Sequence, residues 1–432
     1  MRRVLVLCAL LVACRRTSSS PNIAADPARA EAGPPKEAPS PERSLALSLH
    51  HGKVIDLEKR AVTFVLEKDL TQREASFGDD AYLVTKAGEL RAYSMTTGVM
   101  RWSTPGVAGA AGGCSVLAAA AGGAFCGKGS TLTLHDAKTG AARVITTTST
   151  ADIQQLITVE NDRAIVRRLP DHVLSLRTDR TLESYDGTTG ATAGSATFPF
   201  MPWGFRAGLV STPAGVCGAG SAASEVQAAC VDATTKIVWS KSFTLRKPSD
   251  PTTGSFMVRQ LDDRFLVVST WWSPTLRRGI AVRITDGVEV ARIEAELAAA
   301  VSDRSGGLEG LLVTTPTVRF LEPSGALRWT STEKLDEAAS AVLIDSTLAV
   351  ASFGRIATGA ELHGFDNVTG KTIWRGDVEL LPISHSKYYN EVALGVAFGH
   401  LIMNGREAAQ SYVEIFDVTT GVRKLADVRA LW

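Results

Sequence analysis

The chain has 432 residues, and its 46 Lys plus Arg nearly cancel its 45 Asp plus Glu. It therefore carries no overall field that would draw in nucleic acid or steer an anionic substrate. Hydrophobic residues make up 45% of it, an ordinary globular share, and length alone allows two or three domains.

The N-terminus reads Met1-Arg-Arg, then an apolar run from Val4 to Ala13, then Cys14. A positive start, a short apolar stretch and a small residue before the cysteine form the layout of a signal peptide over residues 1–13. The run is too short for a permanent span, which needs roughly 20 residues. Leu11-Val12-Ala13-Cys14 resembles the bacterial lipobox, which predicts cleavage before Cys14 and lipidation of that cysteine. The alternative is an ordinary signal peptide followed by an incidental cysteine. Several acyl chains on one residue would make the membrane attachment permanent. Arg15, standing where inner-membrane retention uses Asp, leans toward the periplasmic face of the outer membrane or the cell surface.

Residues 14–44 are rich in Ser, Pro, Ala and charged residues and poor in large apolar ones, so they form a lipid-anchored, disordered leash. The folded body is expected over 45–432. Near its start, Ala61 to Glu67 is β-like and is expected to add an outer strand where the fold closes. Four cysteines in the body form two local couples, Cys114 with Cys126 and Cys217 with Cys230. An even set in an oxidising compartment predicts disulfides, with free buried thiols as the alternative.

One unit recurs along the body: two β-rich runs, an Asp-x-x-Thr-Gly turn, and a further run that often ends in Trp. Copies end at Gly98, Gly140, Gly190, Lys236, Gly287, Gly325, Gly370 and Gly421, about every 46 residues. That period suits the four-stranded blade of a β-propeller. The expected fold is therefore all-β, a single propeller of about eight four-stranded blades, with seven as the alternative. In the turn, Asp accepts backbone N–H groups while Gly takes a positive φ. Trp102, Trp329 and Trp374 share one place after the turn glycine, and Trp239 falls one residue earlier counted from Lys236, so packing between blades is the expected role.

Phe365-Asp-Asn-Val-Thr-Gly-Lys-Thr-Ile-Trp374 resembles the blade signature of quinoprotein-dehydrogenase-like, or PQQ-like, propeller repeats, and the resemblance runs over roughly residues 73–426. With a lipobox and eight units, the chain is also similar to the lipoprotein subunits of the bacterial outer-membrane β-barrel assembly machinery. That resemblance implies a periplasmic scaffold contacting the barrel-forming subunit.

No catalytic constellation is legible in the sequence, so no catalytic, cofactor or metal residue is assigned. Asp-x-x-Thr-Gly brings one carboxylate per turn, too few for calcium, and the seven histidines show no ligand spacing. The local oddity is Trp271-Trp272-Ser-Pro-Thr-Leu-Arg277-Arg278, where one tryptophan should enter the core and the arginines could rim an interaction surface. The expected function is a non-enzymatic, membrane-anchored, monomeric scaffold for a cell-envelope protein partner, binding no nucleic acid. The alternatives are a quinone-dependent dehydrogenase and an envelope-polymer or carbohydrate-binding module.

Overall fold

The computed structural model describes residues 47–430 apart from 105–112, 160–171, 203–208, 353–360, 379–390 and stretches of one to three residues. The signal peptide, Cys14 and the leash lie outside the described residues. Every helix or strand described is a β-strand, and strands pair antiparallel with their chain neighbours in nine separate sheets. Eight sheets have four strands each, and they correspond one for one with the eight repeats.

The count of eight, or seven, blades is corrected to nine, because a three-stranded sheet of Leu47–His50, Lys53–Asp56 and Ala61–Val65 precedes the first recognised repeat. We call it blade 1 and number the others in chain order. Ala61–Val65 is thus the outer strand of a sheet of its own. Its turn, Asp56-Leu-Glu-Lys-Arg60, carries the repeat's chemistry in disguise. Asp56 accepts the Lys59 N–H at 2.9 Å, and Arg60 takes the positive φ (55°) that Gly takes elsewhere. Val54 pairs with Phe64 across the same local irregularity that pairs Gly364 with Trp374, so Phe64 stands in the tryptophan position. By this alignment blade 1 supplies the second, third and outer strands of a blade. Among the described residues, nothing pairs with the inner side of Leu47–His50.

The sequence pattern of a strand follows its depth in the blade. Second strands such as Asp80–Thr85 and Thr347–Ser352 are apolar almost throughout and buried on both faces, because a neighbouring blade covers each side. Outer strands such as Ile237–Thr244 bury only an occasional residue. Blade 1 closes the ring. Its Ile55 and Leu57 pack with Ile402, Val413 and Ile415 of blade 9, while its Leu49 and Val54 pack with Leu83 and Tyr93 of blade 2. Buried Asp427 of blade 9 adds a polar latch, lying 3.0 Å from His50 Nδ1 and paired with Lys53 Nζ. Burial would raise the Asp427 pKa, but His50 and Lys53 outweigh it and hold the carboxyl below its usual range.

Between blades the motif does two jobs. Within a turn, one Asp oxygen takes three donors: Asp366 Oδ1 accepts Val368 N, Thr369 N and Thr369 Oγ1 at 3.1, 2.7 and 2.7 Å. Asp136, Asp186 and Asp417 repeat the set. Across the junction, the outer-strand tryptophan lies on the next blade's turn glycine: Trp102 on Gly140, Trp239 on Gly287, Trp329 on Gly370 and Trp374 on Gly421. Phe64 on Gly98 and Ile145 on Gly190 substitute for it. The indole N–H groups of Trp102, Trp239 and Trp329 donate to Ala137 O, Ile284 O and Asn367 O at 2.9, 2.8 and 3.0 Å.

In blade 5 the residue with positive φ is Thr235 (69°), not Lys236, since its turn closes from Thr235 N to Asp232 O. Counted from Thr235, Trp239 stands at the same offset as the other tryptophans.

Hydrogen bonds from Thr369 depress the Asp366 pKa, and those from Thr139 and Thr420 do the same for Asp136 and Asp417. A depressed carboxyl contributes stability that is present above its unfolded value, about 3.9, and is lost as pH falls through the folded value. We expect the melting temperature to drop below about pH 4 and the Asp366→Asn variant to show a shallower acid slope. Equal slopes for the two proteins would refute the turn's role in that drop.

Candidate interaction surface

The residues singled out in the sequence scatter through the fold. Trp271 ends the strand Phe265–Trp271 of blade 6, and Trp272 lies outside the described residues. Arg277 is exposed and pairs with Glu296 at 2.5 Å. Arg278 does not rim a surface: it is buried at 5% exposure, bound to Asp250, to Glu294 at 3.0 Å and to Leu245 O at 2.9 Å. An arginine directly before a strand that begins Gly279-Ile280-Ala281 serves a junction, and it fixes the connection from blade 5 to blade 6. No local pattern signals this, because Asp250 lies 28 residues away in the chain.

The structure joins Cys114 to Cys126 and Cys217 to Cys230, with Cα atoms 5.1 and 4.0 Å apart. Cys217 and Cys230 are direct partners on adjacent strands, and both pairs sit within apolar clusters of their blades. Each bridge closes a loop of about a dozen residues, for which the expected contribution is about 3 kcal/mol. We expect Cys217→Ala with Cys230→Ala to lower the urea midpoint. An unaltered midpoint would show that the pair contributes nothing as a bridge.

Aliphatic residues recur among those that the repeat leaves outward. Val99, Met100, Val144, Leu327, Val368 and Val422 are exposed, from 50% to 70%, and each lies within four residues of its blade's turn glycine. Repetition of the blade places these turns on one rim, so the exposed aliphatic residues recur around it. Among the described residues, no group of three His, Cys, Asp or Glu side chains could hold a metal ion.

No family model and no curated protein matches the chain. Among solved structures it is similar to BamB from Moraxella catarrhalis, at 16% identity and a TM-score of 0.41, covering 77% of this chain and 92% of that one. It is similar to Sqt1 from Saccharomyces cerevisiae at 11% identity and a TM-score of 0.41, covering 83% and 85%. It is also similar to a quinohemoprotein alcohol dehydrogenase from Comamonas testosteroni at 12% identity and a TM-score of 0.41, covering 84% and 68%. The chain's own strand order shows an all-β propeller of four-stranded blades.

Proposed function

We propose that this chain is an extracytoplasmic, lipid-anchored scaffold that binds protein partners in the bacterial cell envelope and catalyses no reaction. The observation that carries the proposal is the recurrence of exposed aliphatic side chains, from Val99 to Val422, beside the turns of five blades. Most of the motif's polar groups are taken up by the fold itself: Asp carboxylates by Thr and backbone donors, and the indole N–H groups of Trp102, Trp239 and Trp329 by neighbouring carbonyls. The two disulfides suit an oxidising compartment, and the Leu11-Val12-Ala13-Cys14 lipobox supplies the anchor.

The test is affinity capture from detergent-solubilised envelopes with the full chain, compared with a Leu327→Glu/Val368→Glu variant. A partner retained by the wild type and lost with the variant is the expected result. Capture of nothing, or purification with stoichiometric quinone, overturns the proposal. Labelled palmitate should enter the wild type and not Cys14→Ser.

A further inference from the structure

We propose that the outer edge of blade 4, the strand Thr192–Thr197, is a strand-addition site for an extended segment of a protein partner, with a basic side chain of that segment seated beside Asp179. The inference rests on the scaffold reading and names the kind of partner. An outer strand exposes a row of unpaired N–H and C=O groups, and proteins blunt such edges with charged side chains. Eight of the nine blades follow that rule. Their outer strands carry Arg101, Arg143, Lys241, Arg292, Arg328, Arg375 and Arg423, and the uncharged strand Ala61–Val65 is flanked by Arg60 and Glu67.

Blade 4 departs from it. Its outer strand reads Thr-Ala-Gly-Ser-Ala-Thr, four of the six residues are exposed, and the flanks are Gly190-Ala191 and Phe198-Pro199. Small side chains let another backbone approach closely. The strand is also held in place from behind. Gly194 occupies the tryptophan position, and a Cβ there would meet Thr234 O of blade 5 at 2.1 Å, so the neighbouring turn rests directly on the backbone.

At the end of this strand is an open recess of about 540 Å³, lined by Thr148, Thr150, Asp179, Thr181, Ser195 and Thr197. Among the described residues, Asp179 is the one ionisable group lining it. Its carboxylate accepts Thr181 N at 2.9 Å and Ser149 Oγ at 2.8 Å. A fixed anion among hydroxyl groups complements Lys or Arg. In strand addition, main-chain hydrogen bonds give affinity and a pocket for alternate side chains gives selectivity.

The experiment titrates the full chain into fluorescent peptides of about ten residues, long enough for one strand. The peptides alternate Thr and Val around a central Lys, a central Glu, or interspersed Pro. The Lys peptide should bind, the Glu peptide should bind at least about tenfold more weakly, and the Pro peptide should not bind. Ala193→Lys and Ala193→Glu should each weaken the Lys peptide at least about tenfold, because a charge of either sign on the edge opposes pairing. Asp179→Asn should abolish the preference for Lys over Glu and leave binding of both. If either Ala193 variant melts below the wild type, Thr192→Lys and Thr192→Glu serve instead. Absence of peptide binding, or binding unaffected by both edge charges, overturns the assignment. An envelope partner still captured by the Ala193 variants keeps the scaffold reading and removes this edge. Edge-dependent peptide binding with an empty capture does the reverse.

Discussion

Glu183→Leu is expected to destabilise the protein by about 3–5 kcal/mol, the cost of leaving a buried charge without its partner. Glu183 and Arg177 are both fully buried in blade 4, with Arg177 Nε 2.6 Å from Glu183 Oε2. Two carbonyls hold the guanidinium from the other side, Ala151 O at 2.6 Å and Ser130 O at 3.1 Å. The carboxylate also accepts Tyr185 OH at 2.8 Å, Thr148 Oγ1 at 2.6 Å and the Thr148 backbone N–H. Burial alone would raise the Glu183 pKa; the hydrogen bonds from Thr148, Tyr185 and Arg177 outweigh it and hold the group below the usual range. Its contribution is therefore present above the unfolded value, about 4.3, and is lost as pH falls through the folded one. Removing Arg177 should cost less than removing Glu183, since the carboxylate keeps three donors while the stranded guanidinium keeps two carbonyls. Arg177→Met/Glu183→Leu should recover much of the loss, as apolar replacement of a whole buried pair often does. Urea unfolding of the three variants decides it. A single-variant loss under about 1 kcal/mol would place the pair in a solvated environment.

Eight of the nine sheets were legible from the repeat because the turn needs a carboxylate or a substitute and a residue able to take positive φ, and is often followed four residues later by a large side chain. Where those needs are met by unusual residues, the repeat disappears from view. Arg60 and Phe64 hid blade 1, and Thr235 hid its role behind Lys236. The strands before each turn were readable from their apolar runs, since burial on both faces leaves little choice of residue. Candidate surface residues were much harder to read. Arg278 looked like a rim residue because its sequence neighbours are aromatic and basic, yet Asp250 and Glu294 draw it inward from 28 and 16 residues away. The open edge of blade 4 was invisible for a related reason: Thr-Ala-Gly-Ser-Ala-Thr becomes unusual only when set beside the other outer strands. Local chemistry is written in the chain, whereas partners brought together by ring closure, such as His50 and Asp427, are fixed by the fold.

Trp329→Ala is expected to cost about 3–5 kcal/mol, at the upper end for a core truncation. The ring lies between Phe320 of its own blade and Phe365 of blade 8, with centroids 5.5 and 5.7 Å away, and its N–H bonds Asn367 O. Removing it empties a junction and leaves a buried carbonyl without that donor. The reciprocal change, Gly370→Ala, should be almost as damaging for two separable reasons: Gly370 has φ of 70°, and a Cβ there would sit 2.5 Å from Trp329 Cε3. A double-mutant cycle separates them. In the Trp329→Ala background the clash has no partner, so Gly370→Ala should retain only the cost of the left-handed backbone, about 1–2 kcal/mol. Additive effects in denaturant unfolding would mean that the indole and the turn do not bear on each other. The packing step shared by blades 2, 5, 7 and 8 would then lose its physical basis.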